Sequence, residues 1–255
     1  LRAYFLVLQY WLAGSDDNVE NMIRLLIDRY ADGPRKGLRG KVPAAAPIDY
    51  PDVGLYHPRL PERITETASR LPASGGARVG LIVLRSYLLA SDTRHYDGVI
   101  AALEARGLTV VPAFASGLDS RPAIERFFLD HGRPTVDAVI SLTGFSLVGG
   151  PAYNDSAAAE ATLVQLDVPY IDRLCRFPAN RDGREMQACP ERAATLAARV
   201  DRLIGLRRRV RAERKVGIVL FNFPPNAGNT GTAAYLAVFE SLFNTLTAMA
   251  AAGYS

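Results

Sequence analysis

The chain has 255 residues, of which 49% are apolar and 22% charged, and its formal net charge is +4. That is enough apolar material to bury the core of one large or two modest domains, which excludes a disordered chain. The positive excess is small and concentrated near Arg207, so anionic partners are favoured only mildly and a nucleic-acid binder is not indicated. No apolar run reaches the roughly 18 residues that a membrane-crossing helix needs, and Leu1 to Leu12 lacks the basic start and cleavage site of a signal peptide. Two cysteines exclude a disulfide scaffold and point to a reducing, cytoplasmic compartment.

Leu1 to Leu12 begins in mid-pattern without an initiating methionine, which predicts a piece of a longer polypeptide. Tyr4, Tyr10 and Trp11 in this stretch suit the packing of a helix. Asn18 to Arg29 is amphipathic, with Val19, Met22, Ile23, Leu25, Leu26 and Ile27 on a wide apolar face and Asp16 and Asp17 at its positive end. Residues 1–40 therefore read as a helical segment. Between 41 and 76, prolines 43, 47, 51, 58, 61 and 72 alternate with charges without periodicity, which predicts a semi-rigid connector.

Residues 77–171 carry the clearest pattern. Val79 to Leu84 is an apolar run without alternation, as in a strand buried on both faces of a parallel sheet. A polar stretch follows, with Ser91 and Asp92 as possible caps, and then Tyr96, Val99, Ile100 and Leu103 form one helical stripe that Gly107 ends. Leu108 to Phe114 is a second strand. After it, Ser120 or Arg121 at a cap and Pro122 in the first turn open a helix to His131, with Ile124, Phe127 and Phe128 inward. Asp137 to Leu142 is a third strand, leading into a loop from Thr143 to Asp155. Strand and helix in alternation predict an α/β fold of parallel-sheet βα units, Rossmann- or flavodoxin-like, with ligand loops at the carboxyl ends of the strands.

After Ile171 the fourth strand has no loop or helix of its own, which predicts a chain gap near 171/172. Residues 172–214 read as an irregular segment plus a helix from Ala193 to Leu206. Residues 215–255 read as the start of a second α/β domain: a buried strand from Val216 to Phe221, a Gly/Asn/Thr loop, and a helix from Ala233 to Ala251.

Four blocks carry a specific resemblance: Leu1 to Gly40, with Gln9-Tyr10-Trp11-Leu12; Tyr50 to Pro61, with Val53-Gly54-Leu55-Tyr56-His57-Pro58; Thr135 to Tyr170, with Leu142-Thr143-Gly144-Phe145-Ser146; and Phe221 to Phe239, with Asn226-Ala227-Gly228-Asn229-Thr230-Gly231-Thr232. Together they resemble the large porphyrin-binding (H) subunits of magnesium chelatase, relatives of the large subunit of cobaltochelatase. The last block is closer to the magnesium branch, and the Cys175 to Cys189 segment is similar to purple-bacterial members. The resemblance implies insertion of Mg²⁺, the substrate metal, into protoporphyrin IX for chlorophyll and bacteriochlorophyll synthesis. It also implies that ATP is hydrolysed on separate AAA+ partner subunits, and that this chain is a fragment inactive alone.

Metal insertion needs a base for two pyrrole protons and ligands that strip water from Mg²⁺. Asp92, His95 and Asp97 after the first strand, with Asn154 and Asp155 after the third, have that chemistry; the competing reading is that they cap helices or lie in first turns. Gly228, Asn229, Thr230 and Thr232 suit either a porphyrin propionate on backbone N–H groups or a structural turn, and no Walker lysine follows them. The arginines after Leu206 suit a solvated helix. Cys175 and Cys189 alone cannot complete a 4Fe–4S site, but further cysteines in a segment missing just before Asp172 would complete one; without them free thiols are the alternative. His57 and His131 read as structural. From residues alone, a non-catalytic two-lobed α/β small-molecule binding module also fits, and the resemblance leaves the cobaltochelatase large subunit of cobalamin synthesis as a further alternative.

Overall fold

A computed structural model describes residues 1–150, 152–172, 186–220 and 237–255. These divide into two compact units, Leu1–Asp201 and Arg202–Ser255. Among the described residues, no helix is long and apolar enough to cross a membrane.

The first unit opens with a helical hairpin, α1 (Arg2–Ala13) and α2 (Asp16–Tyr30), turned at Gly14 in the left-handed region (φ 64°). Ser15 caps α2 by accepting the Asn18 N–H, and Asp16 and Asp17 sit at its positive end. In α1 the inward residues fall at three- and four-residue spacing and culminate in buried Tyr10, whose hydroxyl donates to the Ala45 carbonyl. Tyr4 and Trp11, expected to pack, are each 65% exposed because they lie off that stripe.

The stretch expected as a connector supplies two sheet strands, β1 (Val53–Tyr56) and β2 (Ile64–Thr65). Its prolines flank these strands rather than interrupt them. Ahead of β1, residues 42–51 run as an extended strap tied down by side chains. Asn18 donates to the Ile48 carbonyl (2.8 Å) and accepts its N–H (2.9 Å), while Asn21 accepts the Ala45 N–H and Asp28 that of Val42. The extended backbone thus finds on a helix face the partners that a neighbouring strand would give it.

Next come β3 (Arg78–Ile82), α3 (Arg85–Leu89), α4 (Arg94–Glu104), β4 (Thr109–Ala115), α5 (Arg121–Phe127) and the short hairpin β5 (Leu129–Asp130) and β6 (Arg133–Pro134). Then follow β7 (Ala138–Ser141), a second hairpin β8 (Gly149–Gly150) and β9 (Tyr153–Asn154), α6 (Ser156–Leu166), β10 (Tyr170–Asp172) and α7 (Pro190–Arg208). The six-stranded sheet has the order β10-β7-β3-β4-β1-β2. The four strands from β10 to β4 are parallel, while β1 and β2 add an antiparallel edge. Mixed sheets of this kind are common in doubly wound folds. Pro112 sits inside β4, opposite Leu81 of β3; pairing with β1 ends one residue on, at Ala113 with Leu55, so the missing N–H disturbs the edge least.

The crossovers place α4 on one face and α5 and α6 on the other, the arrangement that the right-handed rule for parallel units requires. One apolar cluster joins Ile82, Val111 and Val139 of the sheet to Ile124, Phe127, Phe128 and Leu166 of the second face. Gly80 belongs there: a Cβ at this position would lie 2.7 Å from the Phe128 ring, so only glycine lets that ring reach the sheet. On the first face α4 buries Val99, Ile100 and Leu103 and is itself covered by the segment leading into α7. Ala188 lies against Gly98, and Arg106 pairs with Asp201 at 3.3 Å.

In the second unit, the carbonyls of Arg207 in the last turn of α7 and of Arg209 just beyond it accept from Arg214, and α8 (Val238–Ala251) is linked back through Arg211, which donates to the Ala252 carbonyl at 2.9 Å. Val216 to Leu220, expected as a buried strand, are not a strand, and Val219 is 83% exposed. A lone strand leaves its N–H and C=O groups without partners, and among the described residues this unit holds no strand to pair with it. Phe221 and the first residues of the expected last helix lie outside the described residues.

Candidate functional site

The strand order reverses at β3: the chain leaves it to form β4 on one side and later β7 on the other. In open α/β sheets the ligand crevice lies at that reversal, outside the carboxyl ends of the strands. Here the loops after β3, β4 and β7 meet there. Val83, Leu84, Ser120, Thr143 and Ser146 surround a tight crevice of about 10 Å³, room for little more than a water molecule. The loops after β4 and β7 are zipped by main-chain bonds, Ser120 N–H to the Leu147 carbonyl (3.1 Å) and Gly149 N–H to the Leu118 carbonyl (3.0 Å). They form one firm crest. Gly149 has φ 104°, and a Cβ there would run into the Tyr153 carbonyl, so the β8–β9 hairpin requires glycine at that point.

Beside the crevice a wider cleft of about 360 Å³ opens between the carboxyl end of α1 (Leu12, Ala13, Gly14) and the crest (Leu84, Arg85, Leu89, Leu118, Phe145). Two shallower hollows adjoin the hairpin. One is lined by Gly144, Phe145, Tyr153 and Asn154, the other by Asp155, Ala159, Leu163 and Val164. Tyr153 is 70% exposed on the hairpin. Asp119 is held below the usual carboxylate range by its hydrogen bonds from Arg121, the shortest 2.6 Å.

The residues expected to act together are distributed over two faces of the sheet. Asp92 does not cap α4, whose N-cap is Thr93 with no side-chain capping bond; it accepts the Met186 N–H at 3.0 Å instead. His95 is buried, 1% exposed, with its ring centroid 3.8 Å from that of Tyr96 and 5.3 Å from that of Tyr87. Burial lowers its pKa to about 4, although Asp92 and Asp97 pull upward. Asp97 accepts from the Tyr56 hydroxyl and, at 3.2 Å, from that of Thr93, and burial first and Asp97 second hold Tyr56 protonated. Asp97 thus ties α4 to β1, Asp92 ties the loop before α4 to the segment ahead of α7, and His95 packs between α3 and α4.

Asn154 and Asp155 lie on the crest side. Asp155 caps α6 by accepting the Ala158 N–H at 2.9 Å, and Asn154 accepts from Ser146. His57, as expected, is structural: its Nδ1 accepts the Arg59 N–H, so Nε2 carries the proton and donates to Glu104 at 3.2 Å. His131 is on the surface beside Asp130. Cys189 is half-buried ahead of α7. Cys175, Gly228, Asn229, Thr230 and Thr232 lie outside the described residues. Among the described residues, no group of three or more His, Cys, Asp or Glu side chains is placed to hold a metal ion.

Sequence reasoning passed over Arg85, Leu118, Phe145 and Tyr153. The available signal was positional: each follows the carboxyl end of a strand on either side of the reversal.

Strand order and crest together define a doubly wound α/β protein with its cleft at the switch point. The profile of the CobN/Magnesium Chelatase family matches residues 8–180 and 173–255, and the chain belongs to that family. It is 48% identical to the magnesium-chelatase H subunit of Rhodobacter capsulatus over 311 residues, covering 100% of this chain and 26% of that protein. It is 34% identical to the chloroplastic magnesium-chelatase subunit ChlH of Oryza sativa subsp. japonica, covering 100% of this chain and 22% of that protein. The aerobic cobaltochelatase subunit CobN of Pseudomonas aeruginosa is 24% identical, with 82% of this chain and 20% of that protein covered. The catalytic subunit of cobaltochelatase from Mycobacterium tuberculosis shares the fold, with a TM-score of 0.62 at 20% identity over 99% of this chain and 23% of that one. The chain thus spans about a quarter of the length of the relatives it matches.

Proposed function

We propose that this chain is part of the porphyrin-holding subunit of a magnesium chelatase, which inserts Mg²⁺ into protoporphyrin IX while separate AAA+ subunits hydrolyse ATP. The observation that carries this reading is the 48% identity to a magnesium-chelatase H subunit along the whole chain, against 24% for a cobaltochelatase CobN subunit. The open cleft at the strand-order reversal supports it: its volume of about 360 Å³ falls within the range of small-molecule sites, and Leu12, Leu84, Leu89, Leu118 and Phe145 offer apolar surface to a ligand. The match to the R. capsulatus protein runs over 311 residues against 255 here, and the two profile segments meet at 173–180. Both facts support the reading that a segment present in relatives is absent after residue 171.

Insertion exchanges two pyrrole protons for a metal that must first lose water. Asp97 is a poor base for this, because its carboxylate is occupied by two hydroxyl donors beneath α4. Asp155 is the better crest candidate, with only one of its oxygens used in capping α6. An iron–sulfur cluster would need four thiolates and the chain has two cysteines, so these residues do not fit one and no step is assigned to it.

Titration with protoporphyrin IX, followed by the porphyrin absorbance, tests the reading. Saturable binding at micromolar or lower concentration is expected, with weakening when Leu118 and Phe145, which line the cleft, are changed to alanine. No binding would overturn it in favour of a module for another small molecule.

A further inference from the structure

Arg85 begins α3 directly beyond the carboxyl end of β3, half-buried at the mouth of the wide cleft. Its Nε donates to the Pro51 carbonyl and its Nη2 to the Tyr50 carbonyl, each at 2.9 Å. Both acceptors are neutral, and among the described residues no carboxylate pairs with this guanidinium. Arg85 is also the one charged side chain among the described residues lining that cleft, whose walls are otherwise small or apolar, with Leu12 on one side and Leu118 and Phe145 on the other. A partly desolvated cation without a counter-charge is unfavourable. A guanidinium has five N–H donors, of which the strap carbonyls engage two. The rest form a fork matched in shape to a carboxylate.

We infer that Arg85 anchors a carboxylate of a flat aromatic ligand seated between the end of α1 and the crest, and so selects for the acid form of that ligand. The inference rests on the porphyrin reading above and names the group that would hold a propionate. Arg85 also fixes the strap, which Asn18 and Asn21 tie to α2, so the anchoring fork has its orientation set before the ligand arrives.

The test is a crossed titration of the full chain and of Arg85→Gln and Arg85→Lys with protoporphyrin IX and with its dimethyl ester. Glutamine keeps an N–H donor for the strap and removes the charge. Arg85→Gln is expected to weaken the diacid by about tenfold or more, the size of a charge-assisted hydrogen bond, and to change the diester by less than about twofold. Arg85→Lys is expected to fall between wild type and glutamine. Equal losses for both ligands would mean that Arg85 acts only through the strap and would overturn the inference, as would an unchanged diacid affinity. Should Arg85→Gln fail to fold, wild type alone decides: the diacid is expected to bind about tenfold tighter than the diester, and equal affinities overturn the inference while leaving the porphyrin reading intact. Wild type that binds neither ligand overturns the porphyrin reading and this inference with it.

Discussion

Beneath α4, Tyr56, Thr93 and His95 are almost wholly withdrawn from water and Asp97 holds two hydroxyls. On the crest across the sheet, Tyr153, Asn154 and Asp155 lie at the open ends of the strands, with Tyr153 mostly exposed and Asp155 half spent on a helix cap. Both regions are built from the residue types that metal insertion would use. Burial and partnering separate them: a polar group whose bonds are satisfied inside the fold contributes stability, and only a group with spare capacity facing a cleft can receive a ligand.

The largest effect is expected from Asp97→Ala, which would leave the Tyr56 and Thr93 hydroxyls without their acceptor. A loss on the order of 3 kcal/mol in urea unfolding is expected, with Asp97→Asn milder. A loss below about 1 kcal/mol would show that α4 is not held by this network. Next comes pH. The folded-state pKa of His95, about 4, lies below the ordinary histidine value of 6.5, so the unfolded chain binds more protons between these limits. Stability is therefore full above pH 6.5 and falls as pH drops toward 4, by on the order of 2 kcal/mol. Glu62, Asp119 and His57 also titrate at low or intermediate pH, so the diagnostic result is a slope that shrinks in His95→Phe; an unchanged slope would relocate the effect.

Asp155→Ala removes the cap of α6 and should cost about 1 kcal/mol. Asp155→Asn, which can still accept the Ala158 N–H, should recover most of that stability while lowering metal insertion by the assembled enzyme, if the crest carboxylate takes the pyrrole protons. The smallest effect on stability is expected at the hairpin. Tyr153→Ala should stay within about 0.5 kcal/mol of wild type in thermal unfolding while weakening protoporphyrin IX binding several-fold. The opposite pattern would make the crest structural and erase the contrast with α4.

Much of the sheet was legible in the residues. The unbroken apolar runs at β3, β4 and β7 read as strands buried on both faces, the stripe Tyr96, Val99, Ile100, Leu103 reads as a helix, and the structure bears out both. Pro122 and Ser120 opened α5 where expected. The edge strands β1 and β2 were not legible, because short strands among prolines carry no periodicity and exist only through pairing with β4 and with each other. Val216 to Leu220 failed for the converse reason: the apolar run is present and, among the described residues, the partner strand is not.

The order of residues by itself determined the α/β class, the central strands and the loops in which chemistry would be sought, since periodicity and turn chemistry act over a few residues. Which of those loops meet, which polar side chains are consumed in the packing of α4, and where an arginine is left without a counter-charge were decided only by the tertiary structure. Those outcomes depend on strand order and on contacts such as Arg85 with Tyr50 and Pro51, which join residues 34 or more positions apart.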